Sequence, residues 1–130
     1  MAQLGDIVVS GSGLKWVVLQ LTSNAYGGQD ARLIRPSADG RYTGLLKDAS
    51  GLIVVESPSF QPGDPVTVNG LKGGYLGTEN GVARVLLAER RTPTKSGLFI
   101  GLDASVARMN IGLLVIENRM EKTHGNQLRL

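Results

Sequence analysis

Apolar residues along this chain recur with a period of two, in short runs that turn residues interrupt. Val66-Thr67-Val68 alternates cleanly, and Trp16–Thr22 sets Val17, Leu19 and Leu21 against Trp16, Val18 and Gln20. That is the pattern of half-buried strands. Similar runs at Ile7–Val9, Ala31–Arg35, Leu52–Glu56, Val82–Ala88, Leu98–Leu102 and Ile111–Ile116 bring the expectation to about eight strands. Each is bounded by Gly, Pro, Asn, Asp or Ser, as in Ser10-Gly11-Ser12-Gly13 and Pro62-Gly63-Asp64-Pro65. Asp39-Gly40 and Asn80-Gly81 predict hairpins, because these residues accept the positive φ of tight turns. Helix is expected in two short pieces, a turn or two over Asp103–Met109 and a second segment, helical or extended, over Ile116–His124. The fold class read from this is mainly β, a small barrel or sandwich with little helix.

Three strings echo one another along the chain. Gly5-Asp6-Ile7-Val8 returns as Gly63-Asp64-Pro65-Val66, Asp48-Ala49-Ser50 as Asp103-Ala104-Ser105, and Gly51–Glu56 as Gly112–Glu117. The organisation expected is a single β domain over 1–130. It is open to an internal duplication of 1–60 and 61–118, as two tandem SH3-like halves, and carries a C-terminal arm over 119–130.

Composition narrows the chemistry. The 130 residues include no Cys, which excludes disulfides, thiolate catalysis and Cys-ligated metal. The one His, His124, lies in the polar stretch Lys122–Asn126, where nothing orients a ring for a relay or converges with it on a metal. No pair of carboxylates has a spacing that marks it for acid–base work. The reading is a non-enzyme without a cofactor. Apolar runs such as Leu113–Ile116 are too short to span a bilayer, and the first six residues show no secretory pattern.

Charge is uneven. Residues 1–65 hold five basic and six acidic side chains, net −1, and residues 66–130 hold nine and five, net +4. The surplus gathers at Arg90, Arg91, Lys95, Arg108, Arg119, Lys122 and Arg129, where an acidic surface or a phosphate backbone would be attracted. The linker Arg90–Gly97 and the arm Arg119–Leu130 are therefore the expected intersubunit contacts. Arg90, Arg91, Lys95, Arg119, Lys122 and Arg129 would supply charge, and Leu128 and Leu130 small apolar plugs.

Gly63-Asp64-Pro65-Val66-Thr67-Val68-Asn69-Gly70-Leu71-Lys72-Gly73-Gly74-Tyr75-Leu76-Gly77 resembles the opening of a KOW-type SH3-like barrel over about fifteen residues. It departs from that pattern in the spacing from Gly70 to Lys72-Gly73 and from Gly73 to Gly77. The resemblance implies nucleic-acid contacts at Lys72, Tyr75 and Arg84. Gly70–Gly74 lacks the Lys-Ser/Thr ending and the following helix of a phosphate-binding loop. In overall character, with the strands Arg41–Leu46 and Gly81–Glu89 and the linker Arg90–Gly97, the chain resembles small structural proteins of tailed-bacteriophage virions, especially capsid decoration (cement) proteins. That resemblance implies a homo-oligomer that reinforces a shell by contact with the major capsid protein. A head-completion, tail or baseplate component is its variant, and a KOW/SH3-like nucleic-acid-binding module the alternative from another class.

Overall fold

In the computed structural model, residues 2–90 and 102–120 are described. They form nine strands and a helix: β1 (Ile7–Val9), β2 (Lys15–Ser23), β3 (Gln29–Pro36), β4 (Tyr42–Asp48), β5 (Ile53–Glu56), β6 (Pro65–Val68), β7 (Leu71–Glu79), β8 (Val82–Arg90), β9 (Leu102–Asn110) and α1 (Ile111–Arg119). The strands make two antiparallel sheets, β4-β3-β2-β1-β5 and β6-β7-β8-β9. Neither closes into a barrel. The protein is mainly β and has the character of a small sandwich.

Alternation along the strands divides the core in two. Val8, Trp16, Val18, Ala31 and Leu33 bury one face of the first sheet over a core that includes Leu21, Leu45 and Val54. Its other face offers Ile7, Val17 and Ile34 to a second core, shared with Val66, Val68, Tyr75, Ala83, Val85 and Leu87 of the second sheet. The even alternation expected over Trp16–Thr22 breaks where the β2–β3 register shifts between Val18 and Gln20. A bulge adds one residue to a strand, and so Leu21 joins Trp16 and Val18 instead of Val17.

Helix α1 fills the second core. It packs on β2 of the first sheet and on β6, β8 and β9 of the second. Leu114, Val115 and Ile116 are fully buried, each stabilising the fold by about 1.5–3 kcal/mol. Ile111–Ile116 is thus helix where a strand was expected, because an apolar run between two sheets is buried on both sides and shows no period. Conversely, Asp103–Met109 is strand β9, paired with β8 from Val82↔Asn110 to Arg90↔Leu102. That ladder overrides the capping residues that suggested helix.

The helix start and its polar side are held by specific bonds. Asn110 accepts from the Gly112 N–H at 2.7 Å and donates to the Leu19 carbonyl at 2.8 Å, capping α1 while tying it to β2. Asn118 accepts from the Thr67 N–H at 2.8 Å and donates to the Thr67 carbonyl at 2.9 Å, mimicking a neighbouring strand on the edge of β6. Glu117 accepts from Asn69 and Gly70 in the next turn. Asn118→Ala leaves the backbone polar groups of Thr67 without these partners and is expected to cost about 1–3 kcal/mol, read as a lower chemical-denaturation midpoint at unchanged slope.

Only the first of the three sequence echoes has one geometry. The Asp6 carboxylate accepts from the Gln3 N–H at 2.9 Å, and the Asp64 carboxylate from the Gln61 N–H at 2.8 Å. Gly5 donates to the Val18 carbonyl at 2.9 Å and Gly63 to that of Tyr75 at 2.8 Å. Asp48-Ala49-Ser50, by contrast, opens a 3-10 turn whose capping Asp48 accepts from Ser50, whereas Asp103–Ser105 lies in β9. Those Ser50 bonds, hydroxyl first and then backbone N–H, hold the Asp48 carboxyl below its ordinary pKa. Gly51–Glu56 leads into β5, and Gly112–Glu117 is helix.

Turn expectations divide in the same way. Asn80 and Gly81 both have positive φ, 52° and 79°, and close the β7–β8 hairpin as a two-residue turn. Asp39-Gly40 sits in a longer loop, closed by Ser37 N–H to the Arg41 carbonyl at 2.8 Å. Leu98–Leu102 lies outside the described residues except for Leu102, the first residue of β9.

Candidate contact surfaces

The second sheet buries one face and leaves the other in solvent. Register fixes which residues share that outer face: Lys72 stands opposite Thr67, Arg84 opposite Gly77 and Arg108, and Leu86 opposite Gly74 and Val106. Leu76, Val82, Leu86 and Val106 are between 41% and 46% exposed. Apolar and basic side chains are therefore interleaved on one surface. Among the described residues, Lys72, Arg84 and Arg108 have no carboxylate within ion-pair reach. Glu79, opposite Val82 at the hairpin end, stands diagonal to Arg84 across the ladder.

Arg84 and Arg108 are direct cross-strand partners. Like charges so placed destabilise an antiparallel pair, by about 0.2–1 kcal/mol on the scale of cross-strand effects. Two of the three residues expected to touch nucleic acid, Lys72 and Arg84, share this face. The third does not. Tyr75 is 6% exposed in the core, its ring 5.3 Å from that of Phe60 and its hydroxyl bonded to Thr78. Tyr75 alternates with Lys72 across the sheet, so its ring has no free face for a base.

A cleft of about 680 Å³ opens beside the C-terminal end of α1. It is lined by Ile7, Leu14, Lys15, Arg35, Glu56, Asn118, Arg119 and Met120, with Gly13 at the β1–β2 turn. Two guanidinium groups there are braced. Arg35 donates through Nε to the Lys15 carbonyl at 3.2 Å and lies 5.7 Å from the Trp16 ring centroid. Arg119 donates to the Ser59 carbonyl at 3.1 Å and lies 4.6 Å from the Phe60 centroid. Each bond uses one of five guanidinium N–H groups, and stacking on a ring restrains the plane of the rest.

Arg119 is thus the last residue of α1, with a seat of its own, instead of the first residue of an arm. Arg90 ends β8, and its side chain is outside the description. Arg91, Lys95, Lys122, Leu128, Arg129 and Leu130, together with His124, lie outside the described residues. Sequence reasoning did not bring Lys15, Arg35 and Arg119 together. They come from β2, β3 and α1, and no local motif joins them. Arg108 was counted in the basic surplus, but its place beside Arg84 depends on β9 being a strand.

Among the described residues no helix is long and apolar enough to cross a membrane. The chain matches no protein-family model, no curated protein and no solved structure.

Proposed function

We propose that this is a non-enzymatic structural subunit of a multi-subunit assembly, and that the outer face of the second sheet is one of its contacts. The observation that carries this reading is the face itself, where register sets Val82, Leu86 and Val106, left 41–46% exposed, among three cations that no described carboxylate pairs. Four strands spaced about 4.8 Å apart present on the order of 500 Å². That is the size of the largest functional patches on monomers, and less than the roughly 800 Å² each partner gives to a standard interface. The face therefore works together with other contacts, as a lattice or ring provides.

Self-association through this face is heterologous. An isologous contact would set the three cations of one copy against those of the other, so the sheet face of one copy meets a different surface on the next. Within this class the role of a virion component, a capsid decoration protein reinforcing the shell, is the reading we adopt, with a head-completion, tail or baseplate subunit as its variant. The chain's turn-rich strands and basic C-terminal half support it.

A nucleic-acid-binding role is the second reading, favoured by the adjacency of Arg84 and Arg108 with Lys72 on the same face. The apolar side chains between them favour protein, since a phosphate backbone leaves Leu86 and Val106 wet. Arg108→Glu separates fold from function. It turns a repulsive cross-strand pair into an attractive one and is expected to stabilise the monomer by about 0.2–1 kcal/mol. The same change weakens association in sedimentation equilibrium. A variant that melts higher and associates as well as wild type contradicts the reading. Gel shifts with single- and double-stranded DNA and RNA at two salt concentrations test the second reading, because phosphate contacts weaken steeply with salt.

A further inference from the structure

We infer that the cleft between β1–β2, β3, β5 and the end of α1 binds a carboxylate-bearing peptide segment with apolar flanks. This inference rests on the assembly reading for the source of the segment, and on the cleft alone for its chemistry. The lining holds three cations, Lys15, Arg35 and Arg119, and one carboxylate, Glu56. Among the described residues no ion pair joins Glu56 to any of them. The cleft therefore carries a surplus of positive charge that nothing described in the chain neutralises, and an anion is its complement.

Preorganisation separates this place from ordinary surface basicity. A free arginine loses rotamer entropy when it binds, and a braced one has already lost much of it. Arg35 is held by the Lys15 carbonyl and the Trp16 ring, and Arg119 by the Ser59 carbonyl and the Phe60 ring. Their remaining N–H groups form planar forks suited to the two oxygens of a carboxylate. Arginines beside aromatic rings are also where binding energy concentrates at interfaces.

The rest of the lining decides the kind of anion. Leu14 and Met120 add apolar surface, with Ile7 buried beneath, and Leu14 is 45% exposed. A bare inorganic anion would leave that surface in water, whereas an acidic residue between apolar neighbours covers both parts. At about 680 Å³ the cleft is within the usual range for ligand sites and accommodates a few residues of chain.

Isothermal titration of the full chain with the capped tetrapeptide acetyl-Leu-Glu-Asp-Leu-amide, with its Gln/Asn counterpart, and with pyrophosphate tests this. Saturable binding of the acidic peptide is expected, at least tenfold tighter than either of the other two. Arg35→Gln and Arg119→Gln should each weaken it about tenfold, with Arg119→Lys intermediate because it keeps charge without the fork. Lys47→Gln, an exposed position on β4 away from both surfaces, should leave it unchanged. Thermal melts of each variant identify any that fail to fold, and chemical-shift mapping on wild type locates the peptide without a substitution. No saturable binding, pyrophosphate binding as tight as the peptide, or peptide binding indifferent to Arg35→Gln and Arg119→Gln overturns the inference. A chain that binds the peptide here but never self-associates would instead count against the assembly reading alone.

Discussion

Leu114→Ala is expected to destabilise the protein by about 2–5 kcal/mol, with loss of thermal cooperativity at the upper end of that range. Leu114 is fully buried near the middle of α1, in the core shared by the two sheets. The core around it draws on two sheets that cannot collapse independently. The first sheet presents Val17 and Ile34, and the second presents Val66, Val85 and Leu87. Removing the side chain leaves a void bounded by both sheets, and partial relaxation on one side opens it on the other. Denaturant unfolding followed by Trp16 fluorescence, compared with far-UV circular dichroism, reads both the cost and any loss of coincidence between the two halves. A cost below about 1 kcal/mol would mean that α1 is not the central support of the shared core.

The second large effect comes from overfilling. A Cβ at Gly73 would lie 2.6 Å from the Leu86 carbonyl oxygen, 2.7 Å from Leu87 Cδ2 and 2.8 Å from Val85 Cγ1. The first of these atoms is backbone in the paired strand, so a rotamer change alone does not relieve the contact. Gly73→Val is expected to cost about 3 kcal/mol, the upper end for overpacking. It should also separate β7 from β8 enough to weaken amide protection of the central ladder, read by hydrogen exchange. Gly74, one residue on, has open space at the same position. Gly74→Ala should therefore be well tolerated, and that contrast checks the register of β7.

This glycine also explains why β7 was missed in the sequence. Gly73, Gly74 and Gly77 break the apolar–polar alternation on which strand reading depends, yet Gly73 is there because the strands pack so closely. β1, β2, β3, β5, β6 and β8 were legible because their valines, leucines and isoleucines alternate or run between turn residues. The two exchanges at the C-terminal end have a different cause. Ile111–Ile116 and Ile53–Val55 carry the same kind of apolar run, and only long-range partners distinguish helix from strand. Asn118 and Glu117 stand at helical spacing from Leu114 and Leu113, and both turn toward the β6 edge. That bond pattern belongs to tertiary structure and leaves no local mark.

The candidate surfaces were legible in part. Lys72 and Arg84 were found from a short resemblance and do share a face, while Tyr75 from the same motif is core. Alternation alone sets Tyr75 on the opposite side of β7 from Lys72, since the bulge comes only after Tyr75, and the motif was read without regard to it. Arg119 was among the expected contacts, but its bracing and its meeting with Arg35 were invisible because the carbonyl and aromatic partners lie elsewhere in the sequence, Ser59 and Phe60 for Arg119 and the Lys15–Trp16 pair for Arg35.

Sedimentation velocity on the full chain, from micromolar to millimolar protein, tests the central claim most directly when wild type is run beside Leu86→Glu. For wild type the account predicts a weight-average sedimentation coefficient that rises with concentration beyond the monomer value. For Leu86→Glu, which places a charge amid the exposed apolar side chains of the second sheet, it predicts a folded species that stays at that value. A wild-type chain that remains monomeric throughout, or a variant that associates equally well, would contradict it.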